Sequence, residues 1–184
     1  MSEGKLANPA PLGLMGFGMT TVLLNIHNAG FFPMDTMILA MGIFYGGLAQ
    51  IIAGIMEFRK GNTFGMTAFT SYGFFWLSLV FIVMKGGGDR AFMGWYLFMW
   101  GLLTLWLWFG TFGKNRVIQT VFFTLTVLFW LLAVEHWFEM PAFFSVFTGI
   151  EGILCGLSAV YLAAAEVLNE DKGRTVLPIG TRNS

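Results

Sequence analysis

Six long apolar runs, each close to the length that crosses a bilayer, constrain this chain more than any other feature. They cover roughly residues 11–29, 35–57, 64–84, 92–112, 117–137 and 142–168. A hydrocarbon core about 30 Å thick takes ~20 apolar residues of helix. Backbone inside it must satisfy its own hydrogen bonds, so each run reads as a helix. The runs are continuously apolar instead of alternating, which excludes a barrel built from strands. The breaks between them are short: Gly30-Phe31-Phe32-Pro33, Arg59-Lys60-Gly61-Asn62, Lys85 to Arg90, Gly113-Lys114-Asn115-Arg116 and Phe138-Glu139-Met140-Pro141. Short links make successive helices antiparallel neighbours. The expectation is an all-α integral membrane protein with six transmembrane helices in one compact bundle. Residues 1–10 then form a cytoplasmic N-terminal segment, 11–168 the membrane domain and 169–184 a cytoplasmic C-terminal tail.

Composition supports this reading. Only 11% of the residues are charged and 57% are hydrophobic, whereas soluble domains carry about 25% charged residues. The formal net charge is zero, so there is no electrostatic case for a nucleic-acid partner. The single cysteine, Cys155, lies in an apolar run and reads as a small buried hydrophobe. The polar, proline-containing start predicts no cleavable leader.

Charge sets the expected orientation. With the N-terminus inside, Lys5, Arg59, Lys60, Lys114, Arg116, Lys172, Arg174 and Arg182 fall on one side, and only Lys85 and Arg90 on the other. Lys and Arg stay preferentially on the cytoplasmic side, so both termini are expected there. Gly42 and Gly46 in the second run, and Gly152 and Gly156 in the sixth, have the four-residue spacing that lets helices approach closely. Whether those faces meet within one chain or between copies is open at this stage.

No Lys or Arg lies deep in a run. The polar residues inside are neutral: Thr20 and Asn25 in the first, Gln50 in the second, Thr67 and Ser71 in the third, Thr124 in the fifth. Hydroxyls in membrane helices bond their own preceding turn. Asn25 and Gln50 cannot satisfy an amide that way and need an interhelical partner or water, so each is either a pore lining or a bond between helices. Glu57 and Glu166, near span ends, read as facing water or pairing with nearby Arg or Lys. Glu151 lies inside the sixth run and His27 near the end of the first, and these are the candidate titrating groups. His27 and His136 have no companions at metal spacing, so neither a metal nor a cofactor is expected. No nucleophile–base constellation marks an enzyme.

The stretch Asn8-Pro9-Ala10-Pro11 precedes the first run. Its prolines fix φ and remove two donors, so a helix is expected to start at or after Pro11. That places Asn8, Pro9 and a helix N-terminus at the cytoplasmic mouth, where the dipole favours a carboxylate. A path lined by hydroxyls, amides and helix ends suits a small polar or weakly anionic solute.

Asn8 to Leu14, reading NPAPLGL, resembles the signature of the acetate uptake transporter family. Gly61-Asn62-Thr63-Phe64-Gly65, Thr70-Ser71-Tyr72-Gly73, Glu166 to Glu170 and Gly173 to Gly180 are also similar to bacterial members. The resemblance implies transport of acetate and related small carboxylates, for some members succinate, across the plasma membrane by an anion channel or a proton-coupled permease. It implies a homohexamer with a pore in each protomer. It also implies a constriction of a Phe, a Tyr and a Leu, matched here by Phe17, Tyr72 and Leu125. The alternative is a multispan sensor or scaffold that binds a carboxylate without moving it.

Overall fold

A computed structural model describes residues 6–181. Lys5 and Arg182 of the charge argument lie outside the described residues. The helices are α1 (Ala10–Asn28), α2 (Thr36–Arg59), α3 (Thr63–Met84), α4 (Arg90–Phe109), α5 (Arg116–Trp137) and α6 (Ala142–Lys172). The polar residue in each short link explains where the next helix begins. Side chains of Asp35, Asn62, Asp89 and Asn115 accept from the backbone N–H of Met37, Gly65, Phe92 and Ile118, which satisfies donors a helix start leaves free. Pro9 and Pro141 precede α1 and α6 instead. α1 starts one residue earlier than Pro11, which sits comfortably in its first turn.

Among the described residues, α2 to α6 are each long and apolar enough to cross a membrane. α1 has 19 residues, but its glycines, threonines and asparagines dilute it. Several of those polar residues are buried against neighbours: Thr20, Thr21 and Asn25 are all at most 3% exposed.

The helices form a ring in the order α3, α2, α1, α6, α5, α4. Glycine brings its members together. A methyl group on Gly18 would lie 2.7 Å from the Gly156 carbonyl oxygen, and one on Gly156 equally close to that of Gly18. Such a separation admits no side chain, so α1 and α6 meet backbone to backbone. Gly149 and Gly152 extend the same seam against Ala29 and Asn25. On α2, Gly42, Gly46 and Gly47 receive Val80, Trp76 and Leu77 of α3. Both glycine stripes therefore pack within one chain. Over Gly42–Ala49, α2 is wound as a π-helix, a local widening that packing can impose where side chains are absent.

The ring closes differently between α3 and α4, through side chains. The Tyr72 hydroxyl donates to Thr104 Oγ1 at 2.9 Å, Ser78 and Tyr96 share a 2.7 Å bond, and Phe75 meets Trp100 edge to face at 5.2 Å. After α6, Gly173 in the left-handed conformation turns the chain back. Asn169 Oδ1 accepts from Val176 and Leu177 N–H, and its amide donates to Leu177 O. The Arg116 N–H then donates to the carbonyls of Ile179 and Gly180, each at 3.0 Å. The tail thus caps α5.

Candidate functional site

Inside the ring a cavity of about 410 Å³ opens at the end of the bundle that carries both chain termini. Its mouth is polar and charged: Asn8, Lys60, Asn62, Lys114, Asn115, Glu166 and Thr181 border it. Its inner wall is apolar and aromatic. Phe17, Tyr72 and Leu125 border the cavity and are 7%, 4% and 3% exposed. Each stands two to three turns into its helix, counted from this end, so the three meet at one depth. The Phe17 and Tyr72 rings lie 6.1 Å apart. Tyr72 is also 6.2 Å from Phe122, Phe122 is 5.3 Å from Phe64, and the Lys114 ammonium stands 4.5 Å over Phe64. A ladder of rings therefore runs from a cation at the mouth to the narrow depth. The Tyr72 hydroxyl is engaged by Thr104, whose own hydroxyl donates to Trp100 O; Tyr72 presents its ring face, not its hydroxyl.

Gln50 borders the cavity at similar depth. It is fully buried, and neither its amide nitrogen nor its oxygen has a partner. A buried amide in this condition is unfavourable unless something else supplies its hydrogen bonds. The Gln50 amide is thus left without a protein partner at the cavity wall.

The other polar candidates are elsewhere. The Thr20 hydroxyl donates to Met41 O. Asn25 donates to Thr21 O, accepts from Asn28 and presses on Gly152, so it ties α1 to α6. Thr67, Ser71 and Thr124 are half-buried and do not border the cavity, and the Thr124 hydroxyl bonds back to Thr120 O. Pro9 is buried as the residue preceding α1. His27 holds Phe32 O at the far end of α1. Glu151 is in the far half of α6, its two carboxyl oxygens buried without partners. The helix-start donors expected for an anion are used up: Ala10 N–H donates to Asn8 Oδ1, Leu12 N–H to Pro9 O, and the prolines have none.

The largest departure concerns the two glutamates expected to face water or pair with a base. Glu57 is fully buried, and its Oε2 accepts from Asn62 Nδ2 at 2.7 Å. Glu166 is half-buried and accepts from Asn8 Nδ2 at 2.8 Å, while the Lys60 ammonium donates to Asn8 Oδ1. Both carboxyls are held by asparagine amides at the cavity mouth. The available signal was the pairing of Asn8 and Asn62 with glycine and proline breaks right at the ends of spans.

A description of the family as GPR1/FUN34/yaaH fits residues 1–181 of the sequence. The chain belongs to the GPR1/FUN34/yaaH family. It is 59% identical to the succinate-acetate/proton symporter SatP of Escherichia coli K12 over 186 aligned residues, covering 98% of each chain. It is 31% identical to acetate permease A of Emericella nidulans, covering 95% of this chain and 66% of that one. A solved structure, that of the bacterial acetate channel SatP, superimposes with a TM-score of 0.93 at 60% identity, covering 96% of this chain and 100% of the other. This member of the GPR1/FUN34/yaaH family is accordingly a helical membrane protein.

Proposed function

We propose that the protein moves acetate and related small carboxylates, succinate among them, across the plasma membrane through a pore inside its own bundle. Its relatives named for acetate and succinate support the substrate class. The observation that carries the reading is a cavity whose charged mouth narrows to Phe17, Tyr72 and Leu125. Lys60 and Lys114 draw anions to the mouth. Gln50 offers an unengaged amide beside the narrow point, and a neutral anchor releases what it binds, as conduction requires. The three apolar side chains act as the gate, with a hydrated ion excluded by the rings. Asn8 acts indirectly, by holding Glu166 and Lys60.

The remaining features follow the same reading. α1 is the sixth span, its polar residues sheltered by α2 and α6. Arg59, Lys60, Lys114, Arg116, Lys172 and Arg174 at this end support a cytoplasmic mouth and cytoplasmic termini. The protein works as a homohexamer with one pore per protomer, and catalyses no reaction.

The test is labelled acetate uptake into proteoliposomes, with protein-free vesicles subtracted. Saturable flux that excess unlabelled acetate blocks, and a changed solute-size limit in Phe17→Ala, are the expected results. Acetate binding with no protein-dependent flux would replace this reading with that of a sensor.

A further inference from the structure

Glu57 lies two residues from the end of α2, near the cavity mouth. It borders the cavity and has no exposed surface. Asn62 occupies its Oε2, but Oε1 is buried with no partner. Gln50, seven residues earlier on the same helix, also borders the cavity and is also unpartnered. Two turns of helix place them on one face of α2, about 10 Å apart along its axis. The wall therefore holds two buried polar groups with unmet hydrogen-bonding capacity, aligned along the path.

The cavity wall to which Glu57 belongs comes from every element at this end. α2's own end and the following link give Lys60 and Asn62, and α3 gives Gly65 and Tyr72. The link before α5 gives Lys114 and Asn115, α6 gives Glu166, and the N-terminal segment gives Asn8. Gly65 lets the Glu57 side chain lie flat against α3; a methyl there would be 2.9 Å from Glu57 Cγ. Among the described residues, no Lys or Arg nitrogen pairs with Glu57 Oε1. Glu166 differs in being half-buried, with Asn8 on its carboxyl and Lys60 beyond.

A carboxylate substrate beside Glu57 creates a pair of carboxyl groups in a dry wall. Two such groups at close range do not both ionise; the pair holds one proton. We propose that Glu57 is a specificity-determining residue that shares one proton from solution with the substrate's carboxylate at Oε1, so that acetate passes it together with that proton. The inference rests on the transport reading. The balance is simple. An acetate anion and a proton enter from solution, the proton is shared between acetate and Glu57, and both leave together, with Glu57 restored. Lys60 and Lys114 gather the anion, and Glu57 admits it as the acid.

The experiment uses the full chain in proteoliposomes carrying an internal pH-sensitive dye, with labelled acetate as the probe and protein-free vesicles subtracted. Uptake is driven in turn by a pH gradient and by a potassium-diffusion potential. The parent protein is expected to carry close to one proton per acetate and to respond weakly to potential. Glu57→Gln keeps the size of the side chain and an acceptor for Asn62, but removes the shared proton. It is expected to shift the ratio of potential-driven to pH-driven uptake roughly tenfold toward potential. Glu57→Asp, which retains a carboxyl group, keeps the parent's proton ratio at a lower rate. An unchanged ratio in Glu57→Gln, or parent flux carrying no proton, overturns the inference while leaving transport intact. No protein-dependent flux in the parent overturns the transport reading itself, and this inference with it.

Discussion

The two halves of the bundle are built on different principles. The half that carries the termini is hollow, and its polar groups are held by asparagine amides: Asn62 on Glu57, Asn8 on Glu166, Asn169 on the tail. The opposite half is filled with rings. Phe75 touches Trp76, Tyr96, Trp100 and Phe129 at centroid distances of 5.7, 6.0, 5.2 and 5.1 Å. Phe17, Tyr72 and Leu125 stand at the border between the halves. On the proposed reading one half receives solute and the other resists it. Selectivity, on that reading, resides where packing density changes, with Glu57 on the approach to it.

The strongest way to break the contrast is to hollow out the filled half. Phe75→Ala removes the ring at the centre of the cluster and is expected to destabilise the protein by about 3–5 kcal/mol, read as a lowered melting temperature in detergent. The surviving folded fraction should pass larger carboxylates than the parent, measured by competition with acetate uptake. Next comes the seam that holds the halves in register. Gly156→Leu forces a side chain onto the Gly18 carbonyl, and overpacking of this kind costs about 1–3 kcal/mol. The same melting experiment reads it, with no change in solute size limit among folded molecules. Gln50→Leu tests the hollow half. It keeps volume but removes the anchor, and is expected to lower acetate flux roughly tenfold, or about 1.4 kcal/mol, without lowering the melting temperature. The smallest effect sharpens the border itself. Tyr72→Phe keeps the ring and loses only the bond to Thr104, worth about 1 kcal/mol. Stability should drop slightly while flux holds, whereas Tyr72→Ala should alter flux strongly.

Much of the architecture was legible in the sequence because lipid leaves so few options. A continuous apolar run must be a helix, and the polar residue closing each link is the cap of the next, as at Asn62 and Asn115. The π-helical stretch of α2 was not legible. It depends on Trp76, Leu77 and Val80 arriving from α3 against Gly42, Gly46 and Gly47, a tertiary effect that no local pattern contains. The polar residues sorted themselves in a way spacing could not foresee. Asn25 and Gln50 carry the same amide in neighbouring helices, Gln50 level with Gly16 and Asn25 more than two turns further from the cavity mouth. The first is absorbed by Thr21, Asn28 and Gly152, and the second is left facing the cavity. Glu57 misled for a related reason. Near a span end a carboxylate is ordinarily solvated, but Asn62 and Gly65 fold over it and close it off.

The seam between α1 and α6 also bears on how the protein is made. α1 is the least apolar of the helices, and Thr20, Thr21 and Asn25 would face lipid if it stood alone. Gly152 and Gly156, which cover one side of it, belong to the final helix. The helix that leaves the ribosome first is thus completed by the one that leaves last. Before α6 is made, α2 covers part of it, with Thr20 donating to Met41 O, while the face against α6 stays open. The ring cannot close before α6 is made, and a nascent chain halted before it leaves the first helix without its glycine seam.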